Sequence, residues 1–197
     1  MKHSRYDDGN YARISKLLRL TRNLPGDIVE CGFGHGNTFS VFLEVLQELK
    51  IERDIWEFDS FEGFPDVHVN DSGGKYAKKG FHGTWFKWEN AQLRINKRCV
   101  YHKYPIDRIK VIKGFYKDTL PQEYTGNQIV LLHIDCDLYE SYKSAFTLFD
   151  KVVSGGIVLF DDLKSQWPGA DKAVEEILAE TKLELKEVNE RYYIQKG

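Results

Sequence analysis

Val29-Glu30-Cys31-Gly32-Phe33-Gly34-His35-Gly36 decides how this chain is read. Asp27 to Cys31 has the makings of a short strand, and it runs into three glycines at alternate positions. Such glycines let the backbone pass close to a ligand and take dihedrals closed to other residues. Downstream, Phe39, Phe42, Leu43, Leu46 and Leu49 recur at three- and four-residue intervals, the period of an amphipathic helix. Strand, glycine turn and helix together are the opening unit of a nucleotide-binding sheet. The dinucleotide pattern GxGxxG needs its third glycine at position 37, where this chain has Asn37. GxGxG preceded by an acid, here Glu30, suggests instead S-adenosylmethionine (SAM), which has no phosphate to cradle.

Working outward, strands alternate with helices, the signature of a mainly parallel sheet covered on both faces. Ile14, Leu17, Leu18 and Leu20 give a leading helix its apolar stripe, and Pro25-Gly26 ends that region. Further strands are expected at Asp54 to Phe58, Lys110 to Lys113, Gln128 to Ile134 and Gly156 to Phe160. A crossover helix is expected from Tyr139 to Val153, closed by Ser154-Gly155-Gly156, and another helix from about Ala170 to Thr181. Leu183 to Val188 and Arg191 to Gln195 alternate in polarity around Asn189-Glu190, a hairpin signal. The expected architecture is one α/β domain over residues 1–197, a mostly parallel seven-stranded sheet with a C-terminal antiparallel hairpin.

The stretch 66–104 is too long for a simple connection in a compact domain and reads as a lid or substrate insertion. Its aromatic residues Tyr76, Phe81, Trp85, Phe86 and Trp88 either stack on a sugar or build a small core of their own. Lys75, Lys78 and Lys79 beside them suit an anionic or glycosylated acceptor.

A chain of 197 residues, 42% hydrophobic and 29% charged, suffices for one well-buried domain, alone or as a small homo-oligomer. Its net charge of -2 supplies no electrostatic reason to expect nucleic acid. The three cysteines, Cys31, Cys99 and Cys136, lack metal-ligand spacing, and their odd number argues against a disulfide framework. A reducing, cytoplasmic setting is expected. Met1 to Asn10 is polar, and no run approaches the roughly 18 apolar residues that span a bilayer, so no membrane partner is expected.

In open parallel sheets ligands bind at the carboxyl ends of strands, and the acids of this chain fall there. Asp59 follows the second strand, where a carboxylate can accept both hydroxyls of a ribose; the competing reading is a turn or capping aspartate. Asp135 and Asp137 end the fourth strand and Asp161-Asp162 the fifth. Four carboxylates in one cleft repel by several kcal/mol unless a proton or cation intervenes, and a hard divalent cation such as Mg²⁺ is the simplest resolution. The plainer alternative has Asp137 capping the helix after Leu138 and Asp161-Asp162 making a turn. His133 reads as a buried, satisfied histidine, whereas His35 and His82 are better placed to visit a site.

Five ordered blocks carry a family resemblance: Asp27 to Gly32, Phe58 to Pro65, Gly114 to Pro121, Asp135 to Ser141, and Asp161-Asp162 with Trp167 to Ala170 behind. They resemble the macrocin O-methyltransferase family of SAM-dependent enzymes, several of which methylate sugar hydroxyls of antibiotics with Mg²⁺. The resemblance implies the Rossmann-like SAM-methyltransferase fold. It implies that Glu30, Gly32 and Gly34 line the methionine end of SAM, that Asp59 and Ser60 hold the ribose, and that Gly114, Phe115 and Tyr116 flank the adenine. It also implies Asp135, Asp161 and Asp162 as metal ligands, with Asp135 or Asp137 near the acceptor hydroxyl as general base. The turn Phe33 to Thr38 departs from the family's basic-glycine-glycine pattern, so the acceptor is where this chain is expected to differ.

The leading expectation is thus a SAM-dependent O-methyltransferase, Mg²⁺-assisted, acting on a sugar or other small-molecule acceptor. Two alternatives stand beside it: a non-catalytic SAM-fold binding or assembly protein, and a nicotinamide-dependent oxidoreductase.

Overall fold

The side chains of β1 (Asp27–Cys31) alternate between two separate cores, because successive residues of a strand point to opposite faces. Ile28 joins one core with Ile14, Phe39, Phe42 and Leu46, while Val29 and Cys31 join the other with Tyr142, Leu132 and Val174. A computed structural model describes residues 8–83 and 87–197. Met1 to Asp7 and Thr84 to Phe86, which include the aromatic residues Trp85 and Phe86, lie outside the described residues.

The sheet continues with β2 (Ile55–Asp59), β3 (Ile109–Lys113), β4 (Ile129–Ile134), β5 (Val152–Phe160), β6 (Lys186–Val188) and β7 (Arg191–Gln195). Its seven strands run in the order β3-β2-β1-β4-β5-β7-β6. Parallel pairing joins β1 through β5, and β7 lies antiparallel to both β5 and β6. The strand order reverses between β1 and β4, and that switch point is where such sheets leave a crevice beyond their carboxyl ends. Asn189 and Glu190 both have positive φ, 45° and 62°, the conformation a tight two-residue hairpin turn demands.

Among the described residues, six α-helices cover the faces: α1 (Asp8–Leu20), α2 (Asn37–Leu49), α3 (Trp88–His102), α4 (Tyr116–Glu123), α5 (Tyr139–Phe146) and α6 (Pro168–Thr181). The crossover helix is shorter than its sequence pattern predicts. α5 tightens into a 3-10 turn over Thr147–Lys151, and β5 begins at once at Val152. Ser154-Gly155-Gly156 therefore lies inside the strand and does not cap a helix. Pairing jumps there from Ile129↔Val152 to Leu131↔Ile157, a bulge that Gly155 absorbs with φ 79°.

Of the stretch 66–104, Asp66 and His82 border the large cavity described below, whereas α3 packs on the α2 side through Ala91, Ile95 and Cys99. Tyr76 and Phe81 stack at 5.2 Å and lie against Phe64 and Trp167, and Trp88 packs on Phe61 at 5.1 Å. These aromatic rings serve packing. The loop is also tied down by Asp71, 3% exposed, whose carboxylate accepts the N–H groups of His68 and Tyr139. It thus caps α5 from outside, where neither Leu138 nor Asp137 does so. Only glycine fits behind it, since a Cβ at Gly169 would stand 1.7 Å from Asp71 Oδ1.

Candidate active site

Gly32 leaves β1 with φ 114°, and its N–H bonds the Phe58 carbonyl at 2.9 Å. Gly34 and Gly36 follow with φ 51° and 70°, and α2 begins at Asn37. Phe33, between the glycines, turns inward against Phe39 and Phe61, so its ring anchors the turn in the core. The backbone of Gly32 and Gly34 is left lining a cavity of about 830 Å³ at the switch point.

Asp59, Ser60, Phe115, Tyr116, Asp135 and Asp137 line the same cavity. Asp59 Oδ2 accepts the Gly34 N–H at 3.1 Å and Oδ1 the Phe61 N–H at 2.8 Å. These are the bonds of a turn aspartate, yet the carboxylate also faces the cavity, so the two sequence readings are compatible. Burial raises its pKa against the pull of those backbone donors. Ser60 Oγ donates to the Gly63 carbonyl. Gly114, φ 147°, lies outside the lining, and a Cβ there would meet Thr119 at 2.6 Å; its part is to turn β3 into α4. His35 and His82 both reach the lining, each with its pKa lowered, chiefly by burial.

Carboxylate oxygens of Asp135, Asp161 and Asp162 lie within 4.8 Å of one another. Asp137 takes φ 63°, and its N–H donates to Asp162 Oδ2 at 3.0 Å. The hydroxyl of Tyr142 donates to the same oxygen at 3.1 Å and receives the Asp162 N–H at 3.0 Å, so Asp162 is held rigidly. Asp161 Oδ1 meets Arg13 and Arg191, each at 3.3 Å. Burial raises the Asp161 pKa, but His133, Arg191 and Arg13 outweigh it and hold the group at about 2. Burial and the charge of Asp161 push Asp162 up to about 6. Burial, with like charges nearby, also lifts Asp135 and Asp137 well above the usual range. The donor set suits a hard divalent cation: three carboxylates in reach of one another, two of them held through a single oxygen each.

Glu30 is 1% exposed and lies beneath the turn, outside the cavity lining, with Oε1 on His133 Nδ1 at 2.9 Å. His133 is buried, as its place before the strand end suggests, but only half satisfied: among the described residues its Nε2 has no hydrogen-bond partner and stands 3.7 Å from Asp161 Oδ1. Burial lowers its pKa, but Asp161 and Glu30 more than compensate and raise it to about 10. Glu57, in register with Glu30 on β2, is fully buried beside the Glu30 carboxylate. Burial, then the charge of Glu30, raises its pKa well above normal. A raised acid stays protonated in the fold after it has ionised in the unfolded chain, so it costs stability as pH climbs above the ordinary glutamate range. Glu57→Gln is therefore expected to gain stability relative to the wild type as pH rises from 5 to 8, measured by thermal melts; parallel pH curves contradict this.

Arg13, Tyr142 and Arg191 have no signature in the local sequence. Arg13 and Asp161 are separated by 148 positions, and only the tertiary fold joins them.

The sheet order, the antiparallel β7 and a cavity at the β1/β4 switch point define a Rossmann-like O-methyltransferase fold. The chain belongs to the macrocin O-methyltransferase (TylF) family, whose sequence model matches residues 13–190. It is 32% identical over 167 residues to demethyldecarbamoylnovobiocin O-methyltransferase of Streptomyces niveus, covering 81% of this chain and 61% of that protein. It is 31% identical to 8-demethyl-8-(2,3-dimethoxy-alpha-L-rhamnosyl)-tetracenomycin-C 4'-O-methyltransferase of Streptomyces olivaceus, covering 73% of this chain and 55% of that one. The chain thus spans less than two thirds of the length of these relatives. Among solved structures, the O-methyltransferase NovP superposes with a TM-score of 0.82 at 26% identity, covering 100% of this chain and 83% of that one. A calicheamicin methyltransferase superposes with a TM-score of 0.85 at 24% identity, covering 98% and 81%, and shares the fold.

Proposed function

We propose that this protein is a SAM-dependent O-methyltransferase that methylates a hydroxyl of a sugar or another small natural-product type acceptor. The observation that carries the reading is the shared lining of one cavity by the glycine turn, Asp59, Tyr116, Asp135 and Asp137. Family membership supports the reaction, and the acceptors named in the two relatives support its substrate class.

In this reading the backbone of Gly32 and Gly34 receives the methionine end of SAM, Asp59 and Ser60 accept the ribose hydroxyls, and Phe115 and Tyr116 flank the adenine. Glu30 stands behind the methionine end and acts through the residues it braces. The acceptor oxygen attacks the methyl carbon in line, the carbon–sulfur bond breaks, and its electron pair stays on sulfur as S-adenosylhomocysteine (SAH) forms. The hydroxyl proton passes to an aspartate of the Asp135/Asp137 pair. Burial and the neighbouring aspartates raise both above the ordinary carboxylate range, which makes each carboxylate a stronger base. Asp135, Asp161 and Asp162 would hold Mg²⁺, which supplies charge stabilisation for the developing alkoxide. Asp66 and His82 place the 66–83 loop at the rim, where it would close over the acceptor. A binding-only protein is less favoured, because four mutually repelling acids serve no purpose in a retired site. A nicotinamide enzyme is disfavoured by Asn37.

The test is transfer of a labelled methyl group from SAM to a panel of glycosylated acceptors. Turnover is expected with Mg²⁺ and its loss with EDTA, restored by added Mg²⁺. Turnover indifferent to EDTA removes the metal from the account, and no turnover on any hydroxylated acceptor counts against the reading.

A further inference from the structure

Below the floor of the cavity, a line of buried polar groups crosses three adjacent strands. Glu57 on β2, Glu30 on β1 and His133 on β4 are register partners in turn. All three are buried, and the imidazole of His133 packs edge-on against Phe42 with ring centroids 6.2 Å apart. A line of buried ionisable groups like this is expensive in a core unless geometry makes use of it. Both ring nitrogens of His133 face carboxylates. Nδ1 meets Glu30 Oε1 at 2.9 Å, and Nε2 stands 3.7 Å from Asp161 Oδ1, an ion-pair distance.

Asp161 Oδ1 is also the oxygen that Arg13 and Arg191 approach. Three cationic side chains from α1, β4 and β7 therefore converge on Asp161 Oδ1. In Asp162, Oδ2 is taken by the Asp137 N–H and the Tyr142 hydroxyl. Holding one oxygen of a carboxylate fixes the direction of the other. Outer partners of this kind are how proteins orient metal ligands.

We propose that His133 and Glu30 are positioning residues: Glu30 fixes the ring of His133, and His133 helps hold the Asp161 carboxylate in place beside Asp135 and Asp162. The inference rests on the divalent cation reading of that acid cluster. Arg13, itself buried and held by Asn10 and the Asn189 carbonyl, and Arg191 also neutralise Asp161, whereas the imidazole is set in the sheet by β4, Phe42 and Glu30. His133 serves the site without touching it, and Glu30 acts at one further remove.

Calorimetric titration of the SAH-loaded protein with Mg²⁺ tests this, beside titration of the metal-free protein with SAH. An Asn amide sits where Nδ1 was, and a Gln amide reaches where Nε2 was. His133→Asn keeps the contact to Glu30 but loses Asp161, and it is expected to weaken Mg²⁺ binding by roughly tenfold with SAH affinity unchanged. His133→Gln is expected to retain most of the Mg²⁺ affinity. If His133→Asn does not fold, Glu30→Gln serves in its place, with a smaller loss of Mg²⁺ affinity expected. Variants that melt earlier yet bind Mg²⁺ as the wild type does would show a purely structural role and overturn the proposal. A wild type that binds SAH but takes no Mg²⁺ would overturn the cation reading and this inference together, so the two failures are distinguishable.

Discussion

Asp135→Asn is expected to lower methyl transfer by about 10²- to 10⁴-fold, the range over which a positioned acid or base contributes. Its SAH affinity should stay near that of the wild type. The side chain ends β4, lines the cavity and belongs to the cluster with Asp161 and Asp162. Asn has nearly the same shape, so packing is kept while the negative charge and the basic oxygen are lost. Asp59 on β2, assigned to the ribose in the proposed reading, is untouched by the change. Stopped-flow or endpoint transfer assays paired with SAH calorimetry separate the two effects. A variant that binds SAH normally and turns over within a few-fold of wild type would remove Asp135 from the chemistry.

Gly32→Ala is expected to be the most damaging single methyl group in the chain. A Cβ there would stand 1.7 Å from the carbonyl oxygen of Asp135 and 2.7 Å from its carbonyl carbon, both backbone atoms that cannot swing away. The residue also sits at φ 114°, a conformation that side chains rarely adopt. Relief requires β1 and β4 to part at the switch point, where Asp135 N–H bonds the Cys31 carbonyl at 2.9 Å. Strain at a special backbone conformation combined with overpacking belongs with the changes that cost more than about 4 kcal/mol. At roughly 2–4 °C per kcal/mol for a chain of this size, the melting temperature should fall by about 10 °C or more, with SAH binding lost. A soluble variant melting within a few degrees of wild type would show that the turn tolerates a side chain.

The parts of the fold legible in the sequence are those with strong apolar periods. β1, the glycine turn and α2 follow from the Val29 to Gly36 stretch and from Phe39, Phe42, Leu43 and Leu46, all of which are buried. The hairpin at Asn189-Glu190 followed from its turn residues and alternation. α3 escaped because its buried stripe is Ala91, Ile95 and Cys99, too small to stand out in a polar stretch. α4 escaped because Pro121 lies inside it. The bulge in β5 has the sequence of a helix end, since glycines serve both purposes and only strand register tells them apart.

At the site, acids at strand ends were legible because parallel strands present their carboxyl termini together. Asp135, Asp161 and Asp162 do come together. Sequence could not supply the direction of Glu30, which depends on the pleat and on His133 one strand away. Nor could it pair Asp161 with Arg13 and Arg191, which arrive from opposite ends of the chain. Asp71 capping α5 from the 66–104 stretch is of the same kind.

The central claim is that the cavity between the glycine turn, Asp59 and Tyr116 takes SAM. Calorimetric titration of the wild-type protein with SAH addresses it most directly, with Asp59→Ala locating the site. The account predicts saturable one-to-one binding with a micromolar Kd, abolished in a folded Asp59→Ala protein. No heat of binding at high micromolar SAH, or binding that Asp59→Ala leaves intact, would contradict it.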